Sequence, residues 1–194
     1  MKVIGVIPCK LDSKRLALKN LQTLNGKSLL GISCEYLASS KYIDTIYIST
    51  DRPDLVEGYK HNDHIAQSNI KIIKRPPHLC RDTYLLEVYN HVGKELNYAF
   101  DYMAITTPDS IPKPFSIDRH IKECIDKKLH ELFTVDNETG MKTSALNILS
   151  KEAVIKGMVA GYTKTLQHGS YDIHDKGDLE YCNREMKIYT LLQK

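Results

Sequence analysis

An unbroken apolar run near the start of the chain, Val3-Ile4-Gly5-Val6-Ile7 closed by Pro8, leaves few folds open. A strand with one wet face alternates apolar and polar residues. A run that is apolar at every position reads as a strand buried on both faces, which is the condition of strands in parallel sheets. Such strands need helices on both faces and long crossover connections. The rest of the chain supplies them. Strand patterns at 45–50, 70–75, 102–106, 132–135 and 145–149 alternate with helical periods at 29–41, 53–59, 85–96, 115–128 and 151–158. Ser28 and Ser150 stand where N-caps belong. The alternation predicts an α/β fold with a largely parallel sheet, and 194 residues suit one domain over 1–194 with a substantial core.

The loop after the first strand is unusual in charge. Lys10, Lys14, Arg15 and Lys19 fall within ten residues, with Ser13 and Asn20 as further hydrogen-bonding groups. In open α/β sheets ligands bind beyond the carboxyl ends of the strands. Cations placed there suit phosphate oxygens, so the loop is a candidate polyphosphate site; the alternative is a solvated basic loop. Other strand ends carry charge too. Asp51 closes 45–50 and reads as a cap or loop-ordering residue. Arg75 closes 70–75 and leads through Pro76 and Leu79 to Asp82, an N-cap candidate. The segment 107–114 holds three prolines and cannot continue a sheet, since each removes a ladder donor. Asp109 within it is either a magnesium ligand or the centre of an Asx turn. His61 and His64 read as surface loop rather than metal ligands. Gly-rich dinucleotide and P-loop signatures are absent, against a dehydrogenase or a P-loop kinase.

Composition excludes other classes. A formal net charge of +3 is too small, and too evenly spread, to argue for nucleic acid. The five cysteines are scattered, with no CxxC pair, which suggests a reducing cytoplasm rather than a disulfide or zinc framework. No segment approaches the ~20 apolar residues of a membrane span, and the N-terminal apolar run is too short for a signal peptide.

Several of these segments resemble one family. IPCKLDSKRLALKN, residues 7–20, is similar to the IPARxGSKRLPxKN opening of the CMP-sugar-acid synthetases, the acylneuraminate and 3-deoxy-manno-octulosonate cytidylyltransferases. NGKSLL is similar to the NGKPLL of the same family, ISTD to VSTDD, and Arg75, Pro76, Leu79 and Asp82 keep the spacing of RPxxLxxD. At 106–112 the match to QPTSPLR is poor and places Thr106 on the Gln; the octulosonate branch has QGDEP, whose Asp helps hold magnesium. Residues 172–180 resemble DIDxxxDLE, whose first two Asp hold the catalytic magnesium. There Asp172 falls on the first and His174 on the second, with Asp175 one residue on. Asp12 stands where the family has Gly.

The resemblance implies a three-layer Rossmann-like sandwich of the nucleotide-diphospho-sugar transferase type. It implies transfer of CMP from CTP to a 2-keto-3-deoxy sugar acid, such as a sialic-acid-like nonulosonic acid, with release of pyrophosphate for surface glycan biosynthesis. Lys10, Arg15 and Lys19 would neutralise the triphosphate, and Ser13 would bond a phosphate oxygen. Asn20, Arg75, Asp82 and Thr106 would address the nucleotide. Asp172, with Asp109 or Asp175 and with His174 beside them, would hold Mg²⁺; an imidazole in the set would shift preference toward Mn²⁺. The expected partners are CTP and the sugar acid, with a homodimer and no nucleic acid or membrane. The alternative is a nucleotide- or nucleotide-sugar-binding relative that has lost catalysis.

Overall fold

Every residue of the first strand, β1 (Val3–Cys9), is buried, as its unbroken apolar run predicts. The computed structural model describes residues 1–60, 69–80, 83–157 and 161–192. The expectations for His61, His64 and Asp82, and the end of the helix predicted to reach Met158, lie outside the described residues. After β1 come a small hairpin, β2 (Thr23–Leu24) and β3 (Lys27–Ser28), and then α1 (Leu29–Ala38), β4 (Ile43–Thr50), α2 (Pro53–Lys60) and β5 (Ile70–Lys74). The chain continues through α3 (Leu85–Glu95), β6 (Tyr102–Ile105), β7 (Ser110–Ile111), α4 (Ile117–Asp126), β8 (Glu131–Val135) and β9 (Lys142–Ser150). It closes with α5 (Lys151–Lys156), β10 (Thr163–Gln167), β11 (Tyr171–Asp172) and α6 (Lys176–Leu192). Ser28 and Ser150 do cap α1 and α5, their side chains accepting from the Gly31 and Ala153 amides.

Seven strands form one sheet in the order β10-β8-β9-β6-β1-β4-β5. β1 pairs in parallel with β4 and β6, β4 with β5, and β8 with β10, while β9 runs antiparallel between β6 and β8. The sheet is therefore mostly parallel, and chain order reverses at β1 and β6. Such a reversal opens a crevice at the carboxyl ends of the two strands.

Strand alternation feeds a separate core on each face. Val3, Ile7 and Cys9 join Leu30 and Leu37 of α1, Val56 of α2, and Ile121 and Cys124 of α4. Ile4 and Val6 join Val88 and Val92 of α3 and Val154 of α5. Helix, sheet and helix make the three layers. Gly5 is what lets α1 lie close: a Cβ there would meet Leu37 Cδ1 at 3.0 Å and Ile46 Cγ1 at 3.2 Å. A third cluster, Leu24, Leu29, Ile111, Ile173, Leu179 and Cys182, binds α6 to the hairpin and to β7. Leu16 of the cationic loop packs against it.

Two elements depart from the sequence-based expectation. The stretch from Gly161 to Gly169 reads as irregular, yet β10 lies within it as an edge strand of the sheet. Its residues Thr-Lys-Thr-Leu-Gln lack an apolar alternation, and only Leu166 packs on the core. The segment 107–114 does not extend the main sheet, but its Ser110 and Ile111 form a two-residue ladder with Asp172 and Tyr171. Two residues are too few to show a period in sequence.

The exposed edge strand is tethered by charge. Lys164 Nζ of β10 bonds Glu123 Oε1 of α4 at 2.5 Å, and Lys127 bonds the same oxygen at 2.7 Å. Hydrogen bonds from Lys127 and then Lys164 hold the Glu123 carboxyl down to about 2. Its folded value lies below its ordinary value of 4.5. The tether therefore stabilises the fold above that value and is lost as the pH falls toward 2. Wild-type protein should lose more stability between about pH 6 and about pH 3 than Glu123→Gln does, read as urea midpoints. Equal losses would show that the tether contributes nothing.

Candidate active site

The loop after β1 is built before it is charged. Leu11, 2% exposed, plugs it into the core, and Asp51 at the end of β4 holds its backbone. One Asp51 oxygen accepts the Leu11 amide at 2.8 Å and the other the Asp12 amide at 3.1 Å. Asn20 is buried and donates its Nδ2 to the Lys10 carbonyl at 2.8 Å. Asp51 is thus a loop-ordering residue, one of the two uses read from sequence. Anchored at both ends, the loop turns Lys10, Ser13, Lys14, Arg15 and Lys19 toward a cleft of about 440 Å³.

The opposite wall comes from three remote segments. Thr107 and Asp109 lie just beyond β6, Ser144 on β9, and Asp172 on β11. The ladder that sets Asp172 opposite Ser110 is what brings Asp172 beside Asp109. The lining also includes the apolar residues Pro8, Leu79, Leu85 and Val88. Apolar side chains together with a cationic loop suit a nucleobase and its phosphates.

The charged groups are dense. Lys19 Nζ meets Asp109 Oδ2 at 2.5 Å. Lys113 donates its Nζ to the Thr107 carbonyl at 2.5 Å. Burial pushes the Asp109 carboxyl up, but the charge and hydrogen bond of Lys19, with Thr107 and Lys113, outweigh it and hold the group below the carboxylate range. Asp172 is pushed the other way, first by burial and then by the charge of Asp109. Burial brings the Lys113 ammonium down to about 7 against the pull of both carboxylates. Two carboxylates at one spot, one of them held above its usual range, are a cation-seeking arrangement.

Across the mouth, Arg15 Nη2 lies 3.2 Å from His174 Nδ1. The cationic loop and the acidic segment of residues 172–180 therefore face one another.

Other expected site residues are placed elsewhere. Asp175 is engaged in starting α6: its Oδ1 accepts the Asp178 amide at 3.0 Å, while Asp178 Oδ2 accepts the amides of Asp175 and His174. This is a reciprocal cap, and it turns the Asp175 carboxylate to the helix rather than to a metal. His174 faces Arg15 and does not line the cleft. Thr106 is buried, its hydroxyl donated to the Ala145 carbonyl at 2.8 Å; Thr107, one residue on, takes the cleft position. Arg75 reaches the cleft floor, but its Nη2 donates to the Ser49 carbonyl at 3.0 Å, so it braces the end of β4. Burial pulls its pKa down.

Sequence reasoning missed Thr107, Ser144 and Lys113 as members of the site. Lys113 sits between two prolines in a segment read only as a break in the sheet. A charge locked in such a rigid run is a faint signal; its partners belong to the turn geometry.

Among the described residues no group of three or more His, Cys, Asp or Glu side chains converges on a metal position. Asp109 and Asp172 nonetheless fit Mg²⁺, which takes one or two carboxylates and completes its shell with phosphate oxygens and water. Among the described residues no helix is long and apolar enough to cross a membrane.

Comparison with known proteins agrees with this geometry. Residues 4–98 match the family model described as cytidylyltransferase. The chain is 33% identical over 57 residues to the 3-deoxy-manno-octulosonate cytidylyltransferase of Chlorobium phaeobacteroides (strain BS1). That match spans 29% of this chain and 23% of the relative. Among solved structures, a CMP:2-keto-3-deoxy-manno-octonic acid synthetase complexed with CTP superposes with a TM-score of 0.76 at 12% identity, covering 97% of this chain and 100% of that one. The 4-diphosphocytidyl-2C-methyl-D-erythritol synthase of Anaerococcus prevotii DSM 20548 gives 0.67 at 11% identity, covering 96% of each chain. Identities this low carry the fold alone, and they bear out the Rossmann-like sandwich. Residues 4–98 are thus similar in sequence to the cytidylyltransferases, and nearly the whole chain shares the fold of a solved synthetase of this kind.

Proposed function

We propose that the protein is a cytidylyltransferase that moves CMP from CTP to a sugar acid of the 2-keto-3-deoxy class and releases pyrophosphate. The observation that carries this reading is one cleft with a cationic loop on one wall and the Asp109–Asp172 carboxylates on the other. An acceptor hydroxyl attacks the α-phosphorus, and the bond to the pyrophosphate oxygen breaks. Such a transfer needs positioning and charge neutralisation more than covalent help. Lys10, Lys14, Arg15 and Lys19 neutralise the triphosphate, and Ser13 bonds one of its oxygens. The base lies against Leu79 and Val88, with Arg75 bracing the floor beneath it. Asp109 and Asp172 would hold Mg²⁺ or Mn²⁺, which when bound polarises the phosphate under attack. Thr107, whose hydroxyl donates to the Ser144 carbonyl at 3.3 Å, and Ser144 line the same cleft and would meet the acceptor.

The test is pyrophosphate release from CTP, given a panel of 2-keto-3-deoxy sugar acids with Mg²⁺ or Mn²⁺. Release with one acceptor, and a rise in melting temperature with CTP, is the expected result. A melting rise without release from any acceptor would make the protein a binding relative that has lost the reaction. A rise with another nucleoside triphosphate and none with CTP would overturn the choice of nucleotide.

A further inference from the structure

Lys19 is asked to do two things at once. It belongs to the loop that faces the triphosphate, yet its ammonium lies on Asp109 Oδ2, with only 13% of its side chain exposed. Its backbone does not move freely to resolve this. Lys19 opens a turn of 3-10 helix whose next two residues, Asn20 and Leu21, are buried. The four-carbon stem can still swing, because Lys carries a point charge on a flexible chain. Lys113, the other ammonium near the carboxylates, is tied to the Thr107 carbonyl and belongs to no phosphate-facing loop. Of the two cations beside Asp109, Lys19 is the one placed to leave.

We propose that Lys19 fills the divalent-cation position at Asp109 in the nucleotide-free protein, and that the triphosphate draws it away, so that nucleotide and metal load together. The inference rests on the reading of the cleft as a triphosphate and metal site. Its physical basis is competition: an ammonium 2.5 Å from Asp109 Oδ2 already neutralises that carboxylate and repels a divalent cation brought to the same place. By linkage, whatever Lys19 subtracts from metal affinity in the free protein returns as coupling between nucleotide and metal. Removing its charge therefore acts with opposite signs on the two ligands. Nucleotide binding weakens, and binding of the metal alone strengthens.

The experiment titrates the full chain with Mn²⁺ alone and counts free ion by electron paramagnetic resonance. Wild-type protein should bind weakly, and Lys19→Gln or Lys19→Met should bind at least about tenfold more tightly. Lys19→Arg, which keeps the charge, should remain weak. Adding Asp109→Asn to Lys19→Gln should abolish the gain. Unchanged Mn²⁺ affinity in a folded Lys19→Gln or Lys19→Met protein would overturn the proposal. A parallel melting measurement with CTP separates the two claims. No CTP-dependent rise in wild type counts against the nucleotide reading, while the metal titration still decides the role of Lys19.

Discussion

Asp172→Asn is expected to lower the rate of pyrophosphate release about a hundredfold while leaving the protein at least as stable as wild type. The two effects have one cause. Asp172 lies on the cleft wall with Asp109, and its carboxyl is pushed above the usual range first by desolvation there and then by its neighbour's charge. In its ionised form it is repelled by the neighbouring Asp109 carboxylate. A carboxyl raised in the fold weakens stability above its folded pKa and recovers it as the pH falls below. Asn keeps the size and the ladder position opposite Ser110 but removes the charge. The fold then loses a repulsion, and the reaction loses half of a carboxylate pair. Steady-state turnover and a melting curve on the same preparation check both halves. Turnover within about threefold of wild type would remove Asp172 from the machinery. A large drop in melting temperature would show that it serves the fold instead.

Ile7→Ala should have the largest effect on stability, a loss of about 2–5 kcal/mol. Ile7 is 0% exposed in the middle of the sheet, registered opposite Ile48 on β4, and it belongs to the larger of the two sheet-face cores. Truncating it leaves a cavity between the sheet and the helices that cover this face, where the neighbours have little room to close. A domain of this kind has about 5–15 kcal/mol in total, so much of its margin would go. Urea unfolding measures the loss, and Ile7→Val, expected to lose only about 0.5–1.5 kcal/mol, calibrates it. The site would suffer with the fold, since the cationic loop begins at Lys10, directly after β1 ends at Cys9. A loss near that of Ile7→Val would mean that the strand relaxes into the space.

Segments that carry their own period were legible in the chain. β1 reads as buried because no polar residue interrupts it. α1 and α5 begin at Ser28 and Ser150 because a hydroxyl at an N-cap satisfies an amide of its own first turn. The cationic loop reads as a phosphate wall because four positive charges crowd the residues just after a buried strand.

Features that depend on a distant partner were not legible. β10 has no alternation to show, because it is an edge strand held by Lys164 to Glu123 of α4. Asp175 and Asp172 look equivalent in sequence, three residues apart with His174 between. Only the folded chain separates them: one caps α6, and the other pairs with Ser110 across a ladder that spans 62 positions of chain. Thr106 and Thr107 divide in the same way: just past the end of β6, the Thr106 hydroxyl turns to the Ala145 carbonyl while Thr107 lines the cleft.

The amino-acid sequence alone determined the layered α/β architecture and the cationic wall of the cleft, because apolar period and charge density are properties of neighbours along the chain. The acidic wall, the division of labour among its carboxylates and the grip of Lys19 on Asp109 were decided only by tertiary structure. Those depend on which strand ends meet at the switch between β1 and β6, and the meeting is set by the packing of the whole sheet.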